Sequence, residues 1–280
     1  MTRSRSLAVA KVQGTSRSVQ PDVVAVEEPL EIRLGYATQR GRAARSISVT
    51  MRTPGDDIDL ALGFLYGEDI IDGSGDVMSA DYCGPPAPDS GTRNIVRVEL
   101  ANAATFDLSK LERHFYTTSS CGVCGKSSLE ALSLSGVASL EADNTSFESE
   151  ILSRLPSALS KQQLIFGQTG GLHAAGLFDT DGSVLLARED VGRHNAVDKV
   201  IGSLLQEEKL PAAGYGLLVS GRASFELMQK ALRAGIPLLA AVGAPSSLAV
   251  SVAQEYDMTL VGFLRDGRFN IYSCDQRVVS

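Results

Sequence analysis

The sequence predicts an α/β protein built in two parts, a layered α/β domain over residues 136–280 and a smaller α+β lobe over residues 21–115. Three observations lead there. Beyond Leu172, short apolar strands alternate with helices of about a dozen residues, the pattern of a layered sheet with largely parallel strands. Ahead of Gly84, two long β-branched, alternating segments flank a turn bearing glycine and arginine. Between these patterns, residues 116–135 read as a mobile Ser/Thr/Gly-rich loop leading into a short helix.

Composition narrows the function classes. With 280 residues, 44% hydrophobic and 21% charged, the chain has ordinary globular content. No run reaches the ~18 apolar residues of a membrane span, so no membrane partner is expected. A net charge of −7 argues against a nucleic-acid polymer as partner while leaving room for local basic sites. Four cysteines in a chain this long, with no secretory apolar segment, point to a reducing cytoplasm rather than a disulfide scaffold. Residues 1–20, opening Met1-Thr-Arg-Ser-Arg-Ser, read as a frayed, disordered tail.

In chain order, residues 23–34 and 45–52 form two arms around a turn from Gly35 to Arg42. Pro54-Gly55-Asp56-Asp57 starts a helix whose apolar face is Ile58, Leu62, Phe64 and Leu65 and which ends at Gly67. A Pro-rich loop from Gly84 to Gly91 precedes a strand over 94–100, and a polar helical stretch begins at Asp107. An Asp/Glu/Ser-rich helical region covers residues 141–160. Leu172 to Phe178 and Ser183 to Ala187 flank Asp179-Thr-Asp-Gly182, a hairpin turn. There follow a helix from Asn195, a strand Gly216 to Val219, a helix from Ser224, a strand Ile236 to Val242 and a helix from Pro245. The strands Leu260 to Leu264 and 268–272 complete the pattern.

Cys121-Gly-Val-Cys124 is the stretch with the sharpest chemistry, because two thiols three positions apart can share a proton, a metal ion or a sulfane sulfur. Gly122 and Gly125 argue for exposed, mobile backbone. Ser127-Ser-Leu-Glu130 fits a capping box, so the thiols precede a helix start. The positive end of that helix and the Lys126 ammonium favour the thiolate, which is the reactive form. A structural zinc half-site, a thioredoxin-type dithiol and a chance pair in a loop compete with this reading. The zinc site lacks its second half, since Cys83 and Cys274 are isolated and His114, His173 and His194 are the nitrogen candidates. The dithiol fold expects its motif early, at the end of a strand. No metal site is predicted.

Ligands of layered sheets bind beyond the carboxyl ends of the strands. Ser220-Gly221-Arg222-Ala223-Ser224 joins a strand to a helix with a glycine for close approach, an arginine for an anion and a serine at the N-cap. Gly243-Ala-Pro-Ser-Ser247 repeats the idea, and both are equally consistent with well-capped helix starts. Arg188-Glu-Asp-Val-Gly-Arg193-His194-Asn195-Ala-Val-Asp-Lys199 concentrates charged and amide groups at another strand-to-helix junction, either to bind a ligand or to bond among themselves as a buried network. Phe263-Leu264-Arg265-Asp266-Gly267-Arg268 places Asp266-Gly267 in a tight turn. An exposed carboxylate there can accept the N–H pair of a guanine while guanidiniums meet phosphates, although a bland Asp-Gly hairpin fits those residues as well.

Taken together, Cys121-Gly-Val-Cys-Gly, Arg188 to Lys199, Ser220 to Lys230, Gly243 to Val250 and Gly262 to Tyr272 resemble, in this order, the formate dehydrogenase accessory sulfurtransferases of the FdhD type. The resemblance extends from about Val23 over nearly the whole chain. It implies a cytidine-deaminase-like α/β domain and a cytoplasmic, homodimeric sulfur carrier. It also implies a cysteine desulfurase as sulfur donor, the molybdenum bis(molybdopterin guanine dinucleotide) cofactor as sulfur acceptor and formate dehydrogenase as the final recipient. Under it, Cys121 bears a persulfide, Cys124 is its partner, and Phe263 to Arg268 match the cofactor-binding segment, with GDP as a mimic of the cofactor's nucleotide end. Gly221, Arg222, Ser224, Arg193, His194 and Asn195 are the further cofactor-binding candidates. The deaminase signature, His-x-Glu followed by Pro-Cys-x-x-Cys, is absent, so deaminase zinc chemistry is not expected. A chaperone that holds the cofactor without sulfur chemistry is the competing class.

Overall fold

The computed structural model describes residues 2–88, 90–101 and 137–280. The Cys121–Cys124 loop, the helical stretch expected from Asp107 and the capping box Ser127 to Glu130 lie outside the described residues. Strands β1 (Ser4–Gln13) and β2 (Ser16–Ala25) pair antiparallel. This corrects the expected frayed tail over residues 1–20. The basic, serine-rich composition is silent about backbone pairing, and the ribbon turns at Gly14, φ +61, and is tied down at its base. Arg3 donates to Pro54 O at 3.1 Å and to Asp56 Oδ2 at 2.9 Å.

The small sheet follows. Strands β3 (Glu28–Thr38) and β4 (Gly41–Arg52) form the long hairpin, and β5 (Val77–Tyr82) and β6 (Ile95–Leu100), against which helix α1 (Asp57–Gly67) packs, complete the order β4-β3-β6-β5. The expected turn from Gly35 to Arg42 is tighter than predicted, with both strands running on to Thr38 and Gly41.

After β7 (Phe147–Glu148) come helices α2 (Ser149–Ser160) and α3 (Leu164–Thr169) and the hairpin of β8 (His173–Phe178) and β9 (Val184–Asp190). Helix α4 (Arg193–Gln206), β10 (Gly216–Val219), α5 (Phe225–Arg233), β11 (Leu238–Ala241), α6 (Ser247–Glu255), β12 (Thr259–Arg265), β13 (Arg268–Ser273) and β14 (Val278–Val279) follow. The large sheet has the order β13-β12-β11-β10-β8-β9. It is mixed rather than largely parallel: β10–β11 and β11–β12 are parallel, whereas β8–β9, β8–β10 and β12–β13 are antiparallel. The tight turns at Asp179–Gly182 and Asp266-Gly267 are the reason, because a short turn reverses the chain and leaves only antiparallel pairing.

Strand alternation splits the core into two. Leu217, Val219, Leu239 and Ala241 face α4 and α1, and their cluster continues into Leu30, Ile32, Leu34, Val96 and Val98 of the small sheet. Leu218, Leu238, Ala240 and Val261 face the other way, onto Leu152, Leu155 and Leu159 of α2, with Phe147 edge-on to Phe178 at 5.5 Å. The larger core therefore spans both parts of the chain, and α1 is buried on most of its circumference.

Helices α1 and α4 approach so closely that backbone meets backbone. A Cβ on Gly63 would lie 1.9 Å from Asp198 O, and one on Gly202 would lie 1.8 Å from Asp59 O. No side chain survives at either position without the helices moving apart. Gly63→Ala is expected to cost roughly 3 kcal/mol or more in urea unfolding, the upper range for overpacking, because the obstacle is a carbonyl that cannot rotate away. Gly73→Ala, with nothing within 4 Å and extended backbone, should change stability by less than about 0.5 kcal/mol.

Candidate functional site

Strands β10, β11 and β12 end on one side of the large sheet. On that side β8, antiparallel to β10, begins at His173, and β9 ends at Asp190, opposite His173. The loops that open there are laced into a single surface. Gly243 N donates to Gly221 O at 2.8 Å, Ala223 N to Ala244 O at 3.2 Å, Ser246 N to Ala223 O at 3.0 Å and Phe263 N to Gly243 O at 3.0 Å. Two glycines permit this. A Cβ on Gly243 would stand 2.9 Å from Gly221 O, and one on Gly262 would stand 2.8 Å from Pro245 Cδ. The helix expected from Pro245 starts two residues later, at Ser247, capped by Ser246, whose hydroxyl accepts from Ala249 N; Ser224 occupies the N-cap of α5 without a side-chain cap bond.

The Arg188–Lys199 segment divides between the two roles left open by the sequence. Most of it is buried network. Asp190 accepts from Lys199 Nζ at 2.7 Å, Thr53 N at 3.2 Å, Gly192 N at 2.9 Å and Asn195 Nδ2 at 2.9 Å. Lys199 also donates to Thr53 O, and Asn195 to Met51 O. Arg188 reaches Asp59 of α1 at 3.0 Å, and the Glu189 carboxylate accepts from Ile165 N and Phe166 N at the start of α3. Asn195, a cofactor-binding candidate from sequence, thus has its amide committed to the junction between the small sheet and α4.

Arg193 and His194 instead stand at the sheet edge. His194 Nε2 lies 2.7 Å from Glu226 and 3.4 Å from the Ser224 hydroxyl. Arg193 Nε is buried without an acceptor among the described residues. Arg222, exposed on the same edge, makes no hydrogen bond or ion pair among them.

The Phe263–Arg268 segment lies at the far end of the edge, and its six residues are not equivalent. Phe263 holds φ +53, costly for a bulky side chain, and is 46% exposed. Leu264 is fully buried in the second core. Arg265 donates to the carbonyls of Val242 and Leu264, and Asp266 accepts from the Ser157 hydroxyl at 3.1 Å. Gly267, φ +78, makes the turn, and Arg268 is exposed. Cys121 and Cys124 lie outside the described residues.

Sequence reasoning missed His173, Glu226 and Ser157 as members of this surface. His173 and Ser157 reach it through strand order and helix placement, for which the local sequence carries no signal. Glu226 was legible in principle, two residues beyond the N-cap Ser224.

The match to the FdhD/NarQ family extends over residues 25–279. The chain belongs to that family. Among its relatives, a sulfur carrier protein FdhD of Mycolicibacterium paratuberculosis is 51% identical over 260 residues, covering 92% of this chain and 93% of the relative. One of Nocardia farcinica is 50% identical, covering 92% and 89%. A crystal structure of a candidate formate dehydrogenase accessory protein from Desulfotalea psychrophila superposes with a TM-score of 0.73 at 22% identity, covering 99% of this chain and all of that one, and so shares the fold. Among the described residues of this family member, no helix is long and apolar enough to cross a membrane.

Electrostatics at the edge single out His173. Burial, together with the nearby Arg193 and His194, holds its imidazole below the ordinary histidine value, with Asp190 pulling weakly the other way. A histidine that is harder to protonate folded than unfolded contributes stability that is fully present above the unfolded value, near 6.5, and is lost as the pH falls from there through the lower folded-state value. The ring signals of His173 in NMR should therefore titrate with a midpoint below about 6.5. A midpoint above that value would contradict the described surroundings.

Proposed function

We propose that this protein is a sulfur carrier in formate dehydrogenase maturation, receiving sulfane sulfur as a persulfide on Cys121 and passing it to the molybdenum bis(molybdopterin guanine dinucleotide) cofactor before that cofactor enters the enzyme. The observation that carries this reading is the near full-length identity to relatives named sulfur carrier proteins, 51% and 50%, in a chain that holds Cys121-Gly-Val-Cys124. In the first step the Cys121 thiolate attacks the outer sulfur of a cysteine desulfurase persulfide. The donor's S–S bond breaks, the donor leaves as a thiolate, and Cys121–S–SH results without net oxidation. Cys124 then has two roles open to it. It takes the outer sulfur as a second persulfide, or it attacks the inner sulfur and closes a Cys121–Cys124 disulfide with release of hydrosulfide. A reducing cytoplasm suits a carrier that works through free thiolates.

The sheet edge is the cofactor-holding end in this reading, and the carrier works as a homodimer. Exposed Phe263 offers a face for a purine, Asp266 accepts from the guanine N–H pair in place of Ser157, and Arg222 and Arg268 meet phosphates. Arg265, already bonded to two carbonyls, holds the loop rather than the ligand.

Incubation with a cysteine desulfurase and cysteine should add 32 Da to Cys121, about the mass of one sulfur atom, as read by mass spectrometry of the alkylated protein. Cys121→Ala should lose that adduct and fail to restore formate dehydrogenase activity in cells lacking the wild-type protein. Full activity from Cys121→Ala would instead favour a cofactor-holding chaperone without sulfur chemistry. For the nucleotide end, calorimetry should give GDP a clear preference over ADP, because a site built to pair N–H groups is left with unpaired polar atoms by the wrong base, a discrimination of up to roughly 10⁴-fold. Equal affinities would rule out recognition of the base.

A further inference from the structure

The β1–β2 ribbon is the part of the molecule for which the sulfur and cofactor chemistry has no use. Among the described residues it is a sheet of two ten-residue strands, with α3 packed against β2. A hairpin of two strands is marginally stable in water and becomes durable with further strands. Much of its apolar surface is open, with Val12 66% and Val19 74% exposed.

The two outer edges of the ribbon are not alike. Val26 N donates to Arg3 O at 2.9 Å, one pair below Ser4 and Ala25. Hydrogen-bonded and non-hydrogen-bonded pairs alternate along an antiparallel ladder. The odd-numbered residues of β1 therefore bond to β2, whereas Ser4, Ser6, Ala8, Ala10 and Val12 turn their N–H and C=O groups outward. The same alternation puts Pro21, opposite Ala8, on the outer side of β2, where its missing N–H leaves a gap in that edge. The outer edge of β1 has no proline, and its register with β2 has no bulge, so its donors and acceptors form an unbroken row.

We propose that β1 pairs edge to edge and antiparallel with β1 of a second copy of this chain, turning two ribbons into one four-stranded sheet of order β2-β1-β1-β2. The proposal rests on the homodimeric reading above and names the element that joins the copies.

A second copy fits because the edge is complementary to itself. With a two-fold axis beside Val9, Ala8 exchanges backbone bonds with Ala10 of the second copy and Ser6 with Val12, all of them residues whose backbone groups already face outward. The positions between them set Val9 against Val9, Leu7 against Lys11 and Arg5 against Gln13, so no like charges stand directly opposite. An axis beside Ala8 would instead set Arg5 against Lys11, which is unfavourable. The two-fold closes both open edges at once. It leaves the sheet bounded by the two β2 strands with their gap at Pro21, so the assembly stops at two copies.

The test combines sedimentation equilibrium with cross-linking of the full-length chain. The Ala8 N–H is not used within the ribbon, so Ala8→Pro removes a donor from the outer edge and leaves the β1–β2 bonds in place, as Pro21 does on the other strand. The dissociation constant of its dimer should rise about thirtyfold, for two hydrogen bonds lost per dimer. Val9→Cys should form a disulfide between copies on mild oxidation with diamide, because residues opposite in a non-hydrogen-bonded pair have Cα atoms ~4.5 Å apart, within disulfide reach. Mass spectrometry of the linked peptide sets this bond apart from any made by the native cysteines. A wild-type dissociation constant in Ala8→Pro, or no cross-link through the substituted valine, overturns the ribbon pairing, and a wild-type dimer then leaves the homodimeric reading standing on another surface. A wild type that sediments as a monomer at every concentration overturns both. If circular dichroism shows Ala8→Pro unfolded, the Val9→Cys cross-link decides between the same outcomes.

Discussion

The contact between α1 and α4 is the constraint on which the rest of the molecule depends. Gly63 and Gly202 let each helix rest on a carbonyl of the other, Asp198 O and Asp59 O. The same two aspartates carry the flanking charges. Asp59 meets Arg188 at 3.0 Å on one side, and Asp198 meets Lys230 at 2.7 Å on the other, in space that Gly67 leaves open for the lysine ammonium. A crossing set by backbone contact tolerates little sliding, and a helix of fourteen residues transmits its position to its ends. The start of α4 carries Arg193 and His194, so the close crossing fixes both against the edge of the large sheet.

Buried charge completes the join. Arg52 and Asp57 are fully buried and paired through two hydrogen bonds of 3.1 and 2.9 Å, and Asn94 Oδ1 accepts a further one from Arg52. One residue along, Thr53 uses both its backbone groups, giving its N–H to Asp190 and its carbonyl to Lys199. Such pairs add little net stability over an apolar core, but removing one partner costs about 3–5 kcal/mol because the other is stranded. Their effect here is positional: the chain leaving β4 is held to the chain leaving β9, and the two sheets share one core.

That rigidity suits an edge that has to hold a ligand. Phe263 keeps a left-handed backbone and an exposed ring, which persists because its N–H is fixed on Gly243 O and its neighbour Leu264 is buried. The polar groups of the edge fall into two classes. His194, Glu226, Arg265 and Asp266 are engaged within the protein, whereas Arg193 Nε, Arg222 and Arg268 have no partner among the described residues. Charge without a partner gathers on one side of the large sheet, where an anion can meet it.

By itself the sequence determined most strands and helices of the second half and the sites of its sharp turns, though not β7, α3 or β14, nor that the helical region expected over 141–160 begins only at Ser149. Alternating apolar runs, Asp-Gly turns and serine N-caps act over a few residues, and β10, α5, β12 and β13 lie where that local chemistry puts them. It also determined the chemistry available, from Cys121-Gly-Val-Cys124 to the arginines of the sheet edge. The tertiary structure alone decided which groups were left for a ligand. Asn195 and Arg193 stand two residues apart and look alike as candidates, yet one side chain reaches the strand before α1 while the other, like that of His173 twenty residues away in the chain, packs near Gly221. The strand order that places β8 beside β10 decided the second placement, and the order of strands in a sheet follows from the burial of whole faces, which no local pattern of residues encodes.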